Sequence, residues 1–284
     1  MYVWDGAKAF AVADPMILHP SEGLQEVKGV VGFPHGYRSA SETLLSDATF
    51  YSAHRGGSAD WPEMSLHAYT QAAVRGVGIL EVSVAKTSDG VWFGLHDRDL
   101  LRTSGVALTA AAATWEQVRA HRISPPSWNP DQPSRPYMRL EELVEAYGRT
   151  HTIMFDPKYE LGSMGTLISF LTSRMSADRL IGKYYYTSLS FANACKSAGI
   201  RTWGYAYEAD LPAMLDPKYL VWDSFGMDHA ASQSAWNQVK ALGKPVIGHI
   251  CRTPAEMSSA LAKGADGLQV SGVRSIPELQ VLVG

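Results

Sequence analysis

Cysteine is scarce in this chain: Cys195 and Cys251 are the only two among 284 residues. Two thiols that far apart define neither a disulfide framework nor a zinc site, so both read as small buried apolar residues. Long hydrophobic runs are missing as well. No stretch approaches the roughly 20 apolar residues that a membrane-spanning helix needs. The N-terminus lacks the basic, apolar and small-residue segments of a signal peptide. There is no basic stripe, and a formal charge of −3 gives no reason to expect nucleic acid as a partner. What is present is an ordinary globular composition, 46% hydrophobic and 19% charged. The length suits a single α/β barrel, which typically needs about 250 residues.

Residues 1–48 carry scattered Gly, Pro, Ser and Asp and no sustained period. They read as a separable N-terminal arm ahead of a barrel domain at 49–284. From Thr49 onward, short apolar runs alternate with amphipathic helical stretches. The pattern predicts buried parallel strands at 49–53, 79–84, 152–156, 184–187, 202–207, 224–227, 246–250 and 267–270. Eight strands is the number a closed (β/α)₈ (TIM) barrel requires.

Helix signals lie between the strands. Thr253-Pro254-Ala255-Glu256 is a capping box with proline at the first helical position, and Gly264 marks the stop. Ser275 and Glu278 repeat that box. Leu66, Tyr69, Ala73 and Val77 share one helical face, as do Leu140, Leu143, Val144 and Tyr147 ahead of Gly148. One region breaks the alternation. Ser88-Asp89-Gly90 signals a tight turn leading straight into a second strand that ends at His96. Residues 100–139 then form a long excursion with a short helix near 115–122 and five prolines from Pro125 to Pro136. A segment of this kind is either a lid over the active site or a passive surface loop.

Barrel enzymes place their chemistry at the C-terminal ends of the strands. In this chain those ends carry His54-Arg55-Gly56, Glu81 with Ser83 on one strand face, His96-Asp97, and Asp156-Pro157-Lys158. Arg55 and Lys158 suit a phosphate anion. Glu81 and Asp156 would repel that anion unless a hard divalent cation lay between them, which points to calcium or magnesium. Cleaving a phosphate ester takes a base for the attacking hydroxyl and an acid for the leaving alcohol, and histidine serves both near neutral pH. Glu63 reads as fixing the loop after the first strand. His249 is a candidate by position alone. Trp61, Tyr186, Tyr205 and Tyr207 either line the mouth or fill the core.

His54-Arg55-Gly56, Pro62-Glu63, Glu81-Val82-Ser83-Val84, Thr87-Ser88-Asp89-Gly90 and His96-Asp97 with Leu100 and Arg102-Thr103 form an ordered set. It resembles the opening signature of the glycerophosphodiester phosphodiesterases. Asp156-Pro157-Lys158 and Gly264-Ala265-Asp266-Gly267 resemble later strands of the same family, so the likeness runs over about 49–275. The resemblance implies a phospholipase-C-like phosphodiesterase barrel. It implies His54 and His96 as the acid–base pair, Arg55 and Lys158 as the phosphate holders, and Glu81, Ser83 and Asp156 at metal-ligand positions. The implied reaction releases an alcohol from a glycerophosphodiester and leaves glycerol phosphate, with glycerol's own neighbouring hydroxyl as one candidate for the attacking group.

Three positions depart from the family pattern. Ser83 stands where an aspartate would bind the metal, Asp156 stands in place of a longer glutamate, and Gly248-His249-Ile250-Cys251 replaces a tryptophan-containing motif. Two other readings follow. One is a metal-free phospholipase-like barrel that stops at a cyclic phosphate; such a site uses a basic residue in place of the metal, and none is evident at Ser83. The other is a catalytically impaired barrel kept as a binding or structural module. Met1-Tyr2-Val3-Trp4-Asp5-Gly6 also resembles the openings of some bacteriophage tail proteins. That likeness implies other tail proteins as partners, a virion location, and an envelope lipid or glycerophosphate-containing wall polymer as substrate; the other reading is a cytoplasmic enzyme of phospholipid turnover.

Overall fold

The computed structural model of the chain describes residues 2–5, 8–11, 39–45 and 49–277. Near the start, β1 (Tyr2–Asp5) pairs antiparallel with β2 (Lys8–Ala11). Two more strands begin the barrel, β3 (Phe50–Ala53) and β4 (Ile79–Lys86). Next, β5 (Trp92–Gly94) folds back antiparallel on β4, and β6 (Arg122–Ile123) pairs with β7 (Arg135–Pro136). The rest of the barrel is β8 (Thr152–Asp156), β9 (Leu180–Tyr185), β10 (Arg201–Tyr205), β11 (Ser224–Asp228), β12 (Val246–Cys251) and β13 (Gly267–Val270). Parallel pairing runs β3-β4-β8-β9-β10-β11-β12-β13 and returns to β3, closing eight strands into the expected barrel.

The helices are α1 (Ala40–Leu44), α2 (Leu66–Val74), α3 (Leu101–Ser104), α4 (Trp115–Arg119), α5 (Leu140–Tyr147), α6 (Met164–Thr172), α7 (Leu189–Ser197), α8 (Leu211–Met214), α9 (Gln233–Lys240) and α10 (Pro254–Ala262). The Thr253–Glu256 capping box is formed on α10, and Gly264 takes the left-handed backbone that ends it. Leu140, Leu143, Val144 and Tyr147 form the buried face of α5. Glu278 of the second expected box lies outside the described residues. Both cysteines are buried and unpaired, with thiols pushed up to about 12 by burial.

Strand alternation sorts the core into two faces. On β4, Leu80, Val82 and Val84 face the surrounding helices, while Ile79 joins the barrel floor. Met154, Ile181, Trp203 and Ile247 complete that floor with Phe50. A Cβ on Gly267 would lie 2.2 Å from the Phe50 ring, so only glycine leaves room for it.

Two regions differ from the sequence expectation. Helix α1 falls inside the segment read as an arm, yet Ala40 and Leu44 are buried against the floor cluster. Residues 39–45 thus pack with the barrel. Five helical residues are too few to show a period, although Ser39 and Glu42 do form a capping box. The 100–139 excursion has a small core of its own, in which Leu100, Ala110, Val118, Ile123 and Tyr137 pack with Phe93. Asn129 donates to the Asp60 carbonyl at 3.0 Å, tying this unit to the loop after β3.

If α1 closes the floor, Leu44→Ala should lower unfolding free energy by about 2–3 kcal/mol, the usual cost of truncating a buried leucine. Urea denaturation would measure it. A loss within error of zero would show that the barrel floor stands without α1.

Candidate active site

Each expected site residue sits at the C-terminal end of the barrel, and backbone geometry aims several of them inward. After β3 the chain turns sharply at His54–Gly56, with Arg55 in the left-handed region at φ 52°. That conformation costs a non-glycine residue energy and persists where the surroundings hold it. Here the Arg55 N–H donates to Glu81 Oε2 at 2.7 Å, and its guanidinium meets Glu63 at 3.2 Å. Lys158 repeats the device after β8. Its φ is 41°, its N–H donates to Asp156 Oδ1 at 3.1 Å, and its ammonium meets Asp156 Oδ2 at 2.7 Å.

His96 follows β5. Its Nδ1 contacts Asp97 Oδ1 at 2.8 Å, which fixes the ring and leaves Nε2 available. Asp97 is held by Arg102 at 2.5 Å, and Arg102 grips both oxygens of Glu63. Glu63 therefore ties Arg55 to Arg102 and fixes the loop after β3, as its position in the sequence suggests. Asp97 gains a role that the sequence motif alone does not assign. His54 is buried, and its Nδ1 has no hydrogen-bond partner among the described residues.

Charge and burial shape both imidazoles. Burial, followed by the Arg55, Lys183 and Lys158 charges, holds the His54 pKa well below 6.5. Burial also lowers His96, with Arg55 and Lys158 adding to the effect and Asp97 opposing it. Either ring would accept a proton more readily once an anion offset the nearby cations.

The remaining candidates separate cleanly. His249 Nε2 lies 3.2 Å from the Ala206 carbonyl, and the rings of Trp203, Tyr205 and Tyr207 surround it. It is a packed structural histidine, lowered to about 4 by burial. Trp61 and Tyr186 are buried. Tyr205 is half-buried and Tyr207 exposed, so these two reach the mouth.

One residue missing from the sequence reading occupies the centre. Lys183 of β9 places Nζ 2.8 Å from Glu81 Oε1 and 3.6 Å from Asp156 Oδ2. The sequence spacing predicts this strand at 184–187; it actually spans Leu180–Tyr185. Gly182 and Lys183 interrupt the apolar run and hide the true start. The available signal is Ile181, a natural core residue two positions before Lys183 and therefore on the same strand face.

Residues 54–181 match the model of the Glycerophosphoryl diester phosphodiesterase family. That match covers less than half of the chain and shows a likeness to the family. The chain is 36% identical over 113 residues to human Glycerophosphodiester phosphodiesterase 1, covering 37% of this chain and 33% of that protein. It thus spans about a third of the length of the curated relatives it matches. A putative glycerophosphoryl diester phosphodiesterase from Silicibacter pomeroyi superposes with a TM-score of 0.71 at 15% identity, over 85% of this chain and 96% of that one. An Oleispira antarctica phosphodiesterase in complex with the product sn-glycerol-3-phosphate superposes with a TM-score of 0.66 at 19% identity, over 83% and 97%. At these identities the superpositions establish the fold.

The divalent cation implied by the family resemblance does not fit the donors present. Glu81, Ser83 and Asp156 do converge, and Ser83 pairs in register with Asp156. Yet Glu81 Oε1 is engaged by Lys183 and Oε2 by the Arg55 N–H, while Asp156 Oδ1 accepts from the Lys158 N–H and Oδ2, which has no hydrogen-bond partner among the described residues, lies 2.7 Å from the Lys158 ammonium. Ser83 offers one neutral oxygen. Among the described residues no three His, Cys, Asp or Glu side chains are grouped to hold a metal.

The buried histidines predict how stability depends on pH. His54 is held well below 6.5, and His151 and His249 at about 4. The unfolded chain takes up these protons near pH 6.5 and the folded chain refuses them. Their contribution is therefore complete above that pH and is lost as pH falls toward 4. Each should cost about 1.4 kcal/mol per pH unit across that window. Urea midpoints should be flat above pH 7 and fall steadily from 6.5 to 5. A flat profile through that interval would mean that these rings are protonated in the native state.

Proposed function

We propose that this barrel cleaves a glycerophosphodiester, using His54 and His96 as acid and base. The observation that carries this reading is that two imidazoles, one buried and one backed by Asp97, both lie close enough to Arg55 and Lys158 to feel their charges. The family match and the names of the relatives supply the glycerophosphate part of the substrate. Arg55 and Lys158 hold the phosphate oxygens.

The two rings take different roles in the first step. Burial, with the nearby cations adding to it, holds His54 neutral, so it accepts the proton of the attacking hydroxyl, either water or the glycerol hydroxyl beside the phosphate. The new O–P bond forms as the bond to the leaving alcohol breaks. His96 is the ring that Asp97 helps to protonate, and it gives its proton to the departing oxygen. If the glycerol hydroxyl attacks, a cyclic phosphate results; water then opens it, with the rings exchanging roles.

His54→Ala and His96→Ala should each lower turnover at least about a hundredfold, the scale of a lost general acid or base, and both should stay folded. Phosphorus NMR of glycerophosphodiesters carrying different alcohols would measure turnover and distinguish glycerol phosphate from a cyclic product. Near-normal turnover by either variant on every cleaved substrate would sink the assignment.

Asp97→Asn supplies a separate check. Asp97 raises the His96 pKa, so its loss lowers that pKa. The alkaline limb of the turnover profile, set by the protonated acid, should move to lower pH. An unmoved limb would mean that His96 does not act as the acid.

A further inference from the structure

We propose that the Lys183 ammonium is the resident cation of this site, standing where a divalent ion would otherwise sit and keeping Glu81 and Asp156 in place. The inference rests on reading the barrel mouth as a phosphodiesterase centre. Three adjacent strands converge here: β4 brings Glu81 and Ser83, β8 brings Asp156, and β9 brings Lys183. Lys183 is not a surface lysine that has folded inward. Ile181 lies in the barrel floor, and strand alternation sends the next inward side chain, Lys183, to the layer above it.

Both carboxylates are fully buried, and a buried charge persists only when it is paired. Among the described residues Lys183 is the ion-pair partner of Glu81, since the Arg55 guanidinium is turned to Glu63. The aromatic faces of Trp203 and Tyr205, with centroids 5.4 and 5.7 Å from Nζ, close the pocket around the ammonium. A divalent ion entering between Glu81 and Asp156 would meet that positive charge at contact distance.

Ser83 and Lys183 form a consistent pair in charge. Glu81, Asp156 and Lys183 sum to −1. An aspartate at 83 with a divalent ion in place of Lys183 would also sum to −1. An aspartate beside Lys183 would leave a buried negative charge in excess, and a divalent ion with serine would leave one fewer. The neutral hydroxyl of Ser83, without a partner among the described residues, is the residue that an internal monovalent cation calls for. Lys183 is 4% exposed, so it acts through the carboxylates it holds: Glu81 fixes the Arg55 backbone, and Asp156 fixes Lys158. It is a positioning residue.

The test is thermal melting of the full chain in excess chelator and in millimolar calcium, magnesium or manganese, beside turnover under the same conditions. The native protein should melt at one temperature throughout and cleave its substrate equally well in chelator. Lys183→Ala combined with Ser83→Asp should melt at a higher temperature when a divalent ion is added, because an ion bound only by the folded state stabilises it. Lys183→Ala alone should lose at least about a hundredfold in turnover, with the loss reduced by divalent ions, an effect a purely structural lysine would not show. A native melting temperature that rises with calcium, magnesium or manganese would overturn the inference. So would a double variant indifferent to all three. The native melt decides the matter even if the variants fold poorly. Cleavage of no glycerophosphodiester, with the melting pattern intact, would remove the activity reading and leave the role of Lys183 standing.

Discussion

The contact between Lys183 Nζ and the Glu81 carboxylate, in the layer above the barrel floor, anchors the rest of the site. Glu81 holds the strained Arg55 backbone, so the turn that presents His54 and Arg55 depends on that carboxylate staying in place. Asp156 does the same for Lys158. Breaking a buried ion pair by removing one partner commonly costs about 3–5 kcal/mol, because the other charge is left stranded. An arrangement of this kind is weak as a source of stability and strong as a means of fixing geometry. Two left-handed non-glycine residues, Arg55 and Lys158, are held in that way at the mouth.

A second network lies outside the first. His96, Asp97, Arg102, Glu63 and Arg55 form a continuous chain of charge-assisted hydrogen bonds across two loops and α3. It joins the hairpin after β4 to the turn after β3, and so sets the position of one imidazole relative to the other. The folded excursion supports this network from outside: α3 carries Arg102, and Thr103 bonds Tyr137 within the small core of that unit. The excursion therefore positions the arginine that holds Asp97.

Much of the molecule was legible in the sequence because two periodicities were intact. In seven of the eight barrel strands both ends fall within two residues of the expected positions, and α5 and α10 carry clear faces or caps. His54, Arg55, Glu81, His96, Asp156 and Lys158 were legible because strand ends in a barrel converge, whatever their separation in the chain. Lys183 was hidden for a physical reason. A buried lysine breaks the hydrophobic run that marks a strand, so the charge most informative about the site also erased the signal of the element bearing it. Helix α1 leaves no periodic signal in the sequence because it has only five residues, although Ala40 and Leu44 pack into the barrel floor.

Lysine side chains, and not a metal ion, offset the buried carboxylates: Lys183 meets Glu81 and Lys158 meets Asp156. Crystals grown or soaked in manganese, measured at a wavelength where manganese scatters anomalously, test it most directly. The account predicts continuous side-chain density from Lys183 reaching Glu81 and Asp156, with no anomalous peak between them. An anomalous peak bridging Glu81, Ser83 and Asp156, with Lys183 turned away, would contradict it.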